Sequence, residues 1–299
     1  MSKPDWALPR IPRISYVLSR SGTYSELSPY VGPIHPNNED RAIRVDDMVS
    51  AMELAPGVSK YPLSCLLAVM DGHGGAGSSQ FVSTHLHHLI GRNPFYESID
   101  YPANEALASA VEEGISSVEE DYLSWAKREM DTSGCCMCVV TIQGSVLVAA
   151  NVGDCEAILI DEKGSIINLS KPHRATDPEE EQRIKNIGGC VKQGRVMGVL
   201  EPSRAIGDMD MKKRWPGCVT AEPYITVQNL PYKRGQGPSY IVVASDGVWD
   251  TLSSEAVAKT TKEGFVKHRD PHIVAHDVVM AARDAGSIDD ATAVVAMLY

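Results

Sequence analysis

The hydrophobic pattern of the chain is dominated by short apolar runs bounded by polar residues and glycine. They are SCLLAVM (64–70), CMCVVTI (136–142), SVLVAAN (145–151), CEAILI (155–160), YIVVAS (240–245) and ATAVVAML (291–298). Runs of this length, rich in Val, Ile and other small apolar residues, predict buried strands. Between Ile142 and Ser145 stand only Gln143 and Gly144, which predicts a tight hairpin, and DEKG (161–164) predicts a second turn. The strands are therefore expected to pair antiparallel. Helical periodicity appears elsewhere: in 103–130, Leu107, Val111, Ile115, Val118, Tyr122 and Trp125 recur every three or four residues. A second helix is expected after Gly77, with Ser78 or Ser79 as its cap and Val82, Leu86, Leu89 and Ile90 facing inward, and a third over about 271–285. Sheets that each bury a face, together with a few amphipathic helices, predict an α+β layered fold. With no internal repeat or low-complexity linker, residues 1–299 read as a single domain. The Pro- and Gly-interrupted stretch at about 171–223 reads as a small flap-like subdomain within it.

Composition narrows the function classes. With 43% hydrophobic and 22% charged residues the chain has the make-up of an ordinary soluble protein. No window approaches the roughly 18 to 20 uninterrupted apolar residues of a membrane span. The N-terminal MSKPDWALPR lacks a signal-peptide core, and Ser2 stands where myristoylation requires glycine, so no membrane association is expected. A cytoplasmic or nuclear location is the expectation, with the chain as a monomer. The net charge of −11 argues against nucleic acid as a partner and against a two-metal nuclease. Seven cysteines in a chain of this kind read as reduced thiols. Cys135 and Cys138 form a CxxC, but no second pair follows at zinc-binding spacing, and both read as small buried strand residues.

One feature recurs beyond what turns require. Asp71 ends an apolar run and is followed by glycine, and so is Asp246. Asp289 and Asp290 stand just before the final run, Glu39 and Asp40 precede a short run at 41–46, and Asp131 precedes CMCVVTI. A lone Asp-Gly is a common turn pair. Several acids gathered at strand ends would repel one another and resist ionising unless a cation held them. Oxygen ligands select hard ions, so magnesium or manganese fits this set and zinc does not.

The segments NNEDR, AVMDGHGG, DTSG, AANVGDCEAIL, RVMGVLEPSRAIGD, VASDGVWD and SIDDATAVV occur in this order. Together they resemble the motifs of the metal-dependent Ser/Thr protein phosphatases of type 2C, from about residue 15 to 299. The resemblance implies a four-layer α-β-β-α sandwich of two antiparallel sheets flanked by helices, with a binuclear metal centre at one end. It implies hydrolysis of phosphoserine and phosphothreonine in phosphorylated protein substrates. Two Mg2+ or Mn2+ ions would activate a bridging hydroxide for in-line attack on phosphorus. Position by position, Asp71 would bridge both metals; Glu39 and the carbonyl of Gly72 would serve one, and Asp246 and Asp289 the other. Asp131 and Asp250 match acids that hold a third, weaker metal, and Asp40 would hold metal-bound water. His73 matches the general acid that protonates the departing Ser or Thr oxygen.

The chain departs from that pattern in several places. His35 stands where the family carries a phosphate-binding arginine, and a neutral imidazole offers one donor where guanidinium offers a fork. It is taken as the phosphate-binding residue, with Arg41 as the alternative. The usual Asp-Asn becomes Asp289-Asp290, with Asp289 favoured as ligand and Asp290 a substitute. His85, His87 and His88 read as surface residues, and Arg195, Ser203, Arg204 and Asp208 as shaping the flap rather than performing chemistry. The rival function is a phosphatase-like interaction module without turnover, for which His35 is the best support.

Overall fold

Along the apolar run at 64–70 the side chains part to two sides: Leu66, Ala68 and Met70 join one hydrophobic cluster, and Cys65, Leu67 and Val69 another. That alternation, carried by both faces of a buried strand, organises the molecule. The computed structural model describes residues 13–18, 38–52, 64–96, 103–230 and 238–298.

Two antiparallel sheets stack face to face. One runs in the order β1 (Arg13–Leu18), β13 (Thr292–Leu298), β12 (Ser239–Ala244), β6 (Glu156–Ile160), β7 (Ile166–Asn168). The other runs β11 (Tyr224–Asn229), β5 (Val146–Val152), β4 (Gly134–Gln143), β3 (Ser64–His73), β2 (Arg41–Val45), with β10 (Ile206–Gly207) also paired to β4. Between the sheets lies a core of Leu67, Val69, Val140, Leu147, Ile241 and Val294 with their neighbours. Outside the second sheet, α2 (Gly77–Gly91) and α3 (Ala103–Glu129) cover Leu66, Met70 and Met137 through Val82, Leu86, Leu107, Val111 and Ile115; the short α1 (Met48–Ala51) joins this layer through Met48. Outside the first sheet, α7 (Ser254–His268) and α8 (Pro271–Asp284) cover Val242 and Val295 through Val257, Phe265, Val274 and Val278. The result is the α-β-β-α order that the resemblance implied.

Several local expectations need correction. β3 does not stop at Met70; it continues through His73, so Asp71, Gly72 and His73 pair with Cys136, Cys135 and Gly134 as the last rungs of the ladder. The hairpin closes over Gly144 and Ser145, because Gln143 is still paired with Val146 and Gly144 supplies the positive φ of 60° that the turn needs. Neither Ser78 nor Ser79 caps α2: the N-cap is Ala76, without a side-chain bond, and both serines are buried in the first turn. Ser78 Oγ donates to the carbonyl of Ile206, and Ser79 Oγ to the carbonyl of Glu39 at 2.5 Å. Tertiary acceptors outcompete the helix end for these hydroxyls.

Residues 171–223 carry a hydrophobic cluster of their own, with Ala175, Ile184, Val196, Ala205, Met211 and Val219 buried together. It holds α4 (Pro178–Asn186), the hairpin β8 (Val191–Lys192) and β9 (Arg195–Val196), and α5 (Met209–Arg214). Asp177 caps α4 by accepting from the N–H groups of Glu179 and Glu180, with Pro178 in the first turn. Among the described residues no helix is long and apolar enough to cross a membrane.

Candidate active site

The two sheets present their acids at one end. Asp71 comes from β3, Asp246 opens α6 (Asp246–Trp249) directly after β12, and Asp40 precedes β2. Asp71 and Asp246 stand close enough for one carboxyl to hydrogen-bond the other. Desolvation, then the charges of Asp40, Asp246 and Asp289, pushes the Asp71 carboxyl well above the usual range. Desolvation, then Asp154 and Asp289, pushes Asp246 up to about 8. Asp40 is 1% exposed and rises to about 7, through burial and the charges of Asp290 and Asp289, although Thr292 and Ser245 partly offset this by donating to its Oδ2. Those bonds are 2.6 Å and 2.9 Å long and fix the orientation of the carboxylate. Carboxylates crowded in this way retain protons unless positive charge replaces them.

Glu39 is held by its backbone. Its N–H donates to Asp290 Oδ2 at 3.0 Å, its carbonyl accepts from Ser79, and its Oε2 accepts from the N–H of Gly75 at 3.3 Å. Gly72 lies against it so closely that a β-carbon there would sit 2.6 Å from the Glu39 carbonyl oxygen. Asp289 is exposed, yet its charge is felt at Asp40, Asp71 and Asp246. Asp290 has a different job here, as the anchor for the Glu39 backbone.

The pair expected to share a third metal is not brought together by any described interaction. Asp250 is ion-paired with Arg174, and its charge reaches Asp246 and Asp154. Asp131 Oδ1 instead accepts from Tyr122 OH at 2.8 Å and from the N–H and hydroxyl of Ser133 at 2.8 and 2.6 Å. Burial would raise its pKa, but these bonds outweigh it and lower it. His35 lies outside the described residues. Arg41 forks onto Gln80 and onto the carbonyls of Asn38 and Asp40.

Two acids beside the site go beyond the sequence reading, which does not single out Asp154 and takes Asp208 only as shaping the flap. Asp154, buried at 4% exposure, places its charge on Asp246 and His73 and sits 3.4 Å from Arg174 Nε. Asp208 accepts from His73 Nε2, at 2.9 Å through Oδ2 and 3.1 Å through Oδ1. Burial alone would lower the His73 pKa; the Asp208 bond and charge, then Asp154 and Glu39, reverse this and raise it. Each acid follows a glycine at a strand end, in VGD and IGD, the mirror image of the Asp-Gly pattern. Of the three helix histidines only His85 is exposed, stacked on Phe81 at 4.1 Å; His87 is half-buried, and burial followed by the charges of His88 and His85 lowers its pKa to about 4.

Among the described residues no three acidic, histidine or cysteine side chains are drawn together as a finished ligand set. The donor chemistry nevertheless fits a hard divalent cation. Every group is an oxygen, and two buried carboxylate oxygens, Asp40 Oδ1 and Asp246 Oδ1, have no hydrogen-bond partner.

Comparison with known proteins bears on what these acids serve. Residues 37–291 match the family model described as Protein phosphatase 2C. The chain is 30% identical over 290 residues to Probable protein phosphatase 2C 2 of Oryza sativa, covering 92% of this chain and 70% of the relative. It is 35% identical over 235 residues to Protein phosphatase 1E of Mus musculus, covering 77% of this chain but only 29% of that protein. The fold matches a serine-threonine phosphatase 2C from Toxoplasma gondii with a TM-score of 0.73 at 17% identity, over 96% of this chain and 94% of the other. A C. elegans sex determining protein matches with a TM-score of 0.77 at 20% identity, over 96% of this chain and 64% of the other. The chain belongs to the protein phosphatase 2C family, the metal-dependent protein serine/threonine phosphatases.

Proposed function

We propose that the chain hydrolyses phosphoserine and phosphothreonine in phosphoproteins with two divalent cations, Mg2+ or Mn2+. Asp71, Asp246 and Asp289, with Glu39 and the Gly72 carbonyl, would hold them. The observation that carries this reading is the crowding of Asp40, Asp71 and Asp246, with two of their buried oxygens unpartnered. Such an arrangement is costly for folding and is explained by a positive charge placed among the acids. When bound, the cations supply charge to the phosphoryl oxygens and make water more acidic.

The chain's own residues do the rest. Asp40, pinned by Ser245 and Thr292, keeps Oδ1 free to orient a water molecule. Glu39 is held in place through its backbone. His73, at the last rung of β3, gives a proton to the departing Ser or Thr oxygen, which is too basic to leave unprotonated. His35 is assigned to the substrate phosphate by resemblance alone, and Asp131 and Asp250 to a weaker metal on the same basis.

The test is hydrolysis of a phosphothreonine peptide by protein stripped with EDTA, then supplied with manganese or magnesium. Activity lost on stripping and restored by either ion supports the reading, provided that Asp71→Asn remains inactive while folded. Folded wild-type protein with no manganese-dependent turnover would favour an interaction module instead.

A further inference from the structure

Asp208 is built into its place at a cost that nothing in the local chain explains. Its backbone sits in the left-handed region, with φ of 52°, which few non-glycine residues adopt without compensation. It occupies the N-cap of α5, where an aspartate normally accepts from the first turn, yet it makes no side-chain cap bond. Both carboxylate oxygens are turned instead to His73 Nε2, at 2.9 and 3.1 Å. The side chain is 6% exposed against 26% for the imidazole, so the acid backs the ring and the ring faces outward. Its N–H is tied to the Ser133 carbonyl at 3.1 Å, fixing Asp208 to the edge of β4. Gly134 completes the seat, because a β-carbon there would collide with both the Asp208 carboxylate and His73 Nε2.

We infer that Asp208 is a positioning residue for the phosphatase reaction: it holds His73 Nε2–H, so that Nδ1 is the nitrogen presented to the leaving oxygen of the substrate. The inference rests on the reading of His73 as proton donor. The carboxylate accepts only, so the nitrogen it faces must carry hydrogen. The second nitrogen has no hydrogen-bond partner among the described residues. A carboxylate behind an imidazole aims it and keeps hydrogen on Nε2 before and after the transfer, whereas an amide can donate there instead and release that hold. The transfer starts from the ring with hydrogen on both nitrogens: the Nδ1–H bond breaks, an O–H bond forms on the departing alkoxide as its P–O bond breaks, and the ring is left neutral with Nε2–H still on Asp208.

Asp208→Asn tests this cleanly, since asparagine tolerates the left-handed backbone and keeps the volume. Without the bond to the carboxylate, kcat on a phosphothreonine peptide should fall about 10- to 100-fold, a share of the roughly 10²- to 10⁴-fold that a general acid contributes. KM should stay within about twofold, and turnover of p-nitrophenyl phosphate should change little, because nitrophenolate leaves without a proton. The ¹⁵N resonances of the neutral His73 ring should move toward the other tautomer, a signature that a merely structural role would leave in place. In His73→Gln, adding Asp208→Asn should cost nothing further. Equal loss on both substrates, additive losses in the double variant, or unmoved His73 resonances would each overturn the inference. If His73→Gln slows the peptide selectively while Asp208→Asn does not, this inference fails and the reading of His73 stands. If His73→Gln shows no leaving-group dependence, that reading fails, and this one with it.

Discussion

Removing the charge of Glu180 should loosen the segment that delivers Asp208. Glu180 projects from α4, and its side chain is 5% exposed between Arg183 and Arg204, at 22% and 16%. Arg204 donates to it at 2.7 Å, Arg183 at 3.0 Å and Ser203 Oγ at 2.7 Å. Desolvation alone would raise its pKa, but the bonds from Arg204, Ser203 and Arg183 win and hold it at about 2, against an ordinary 4.5. That difference is worth about 3 kcal/mol at roughly 1.4 kcal/mol per pH unit, in line with the 3–5 kcal/mol cost of breaking a buried pair. Glu180→Gln keeps the volume and leaves two guanidiniums short of their counter-charge, so the loss should approach that figure. In a chain of this size it corresponds to a melting temperature lower by about 5 °C. Because the folded pKa is depressed, the stabilisation is fully present above pH 4.5 and is lost as pH falls toward 2. Urea midpoints of wild type and variant should therefore differ by a constant amount from pH 7 to 5 and converge in more acidic buffer. Amide exchange should quicken in 203–208 before it quickens in β3 or β4. A variant within about 0.5 kcal/mol of wild type at pH 7, the size of an ordinary surface change, would refute the reasoning. So would a gap that widens with acid.

Asp246→Asn should raise the melting temperature of EDTA-stripped protein by relieving like-charge crowding, while abolishing the manganese-induced rise; calorimetry with and without the ion checks both, and an unchanged manganese response would remove Asp246 from the ligand set. His73→Gln should slow phosphopeptide turnover far more than that of p-nitrophenyl phosphate in parallel steady-state assays. Gly134→Ala forces a methyl group between His73 and Asp208, and should lower kcat and cost about 1–3 kcal/mol in a denaturant titration. His35→Arg should lower KM for phosphopeptide without changing manganese affinity; identical KM values would move phosphate binding to another side chain.

The central strands were legible because they are buried on both sides. β3, β4 and β12 read as continuous apolar runs, which no surface element needs. β11 was not, since YITVQN lies at the sheet edge with half-exposed side chains and lacks such a run. α7 packs through Val257, Ala258, Thr261, Gly264 and Phe265, and small or polar residues at three of those five positions blunt its periodicity. The serines of α2 mark the same limit from the other side. Their sequence position favoured capping, and acceptors at Ile206 and Glu39, far along the chain, claimed them instead.

The site follows the same division. An acid at the tip of a buried strand is a local feature, which is why Asp71 and Asp246 could be singled out by position alone. Which acid serves the reaction and which serves the scaffold is decided by partners far away in sequence. Asp290 secures the backbone of Glu39 across 251 residues, and Asp208 reaches His73 across 135. Asp131, shortly before β4, spends one oxygen on Tyr122 and Ser133. The left-handed backbone of Asp208 carries no sequence mark, because aspartate visits that region only occasionally. Strain held at one residue, a cap forgone and a glycine emptied of its side chain all favour the same imidazole. Local propensity is overruled three times at a single point, and that is where a chain gives up stability for chemistry.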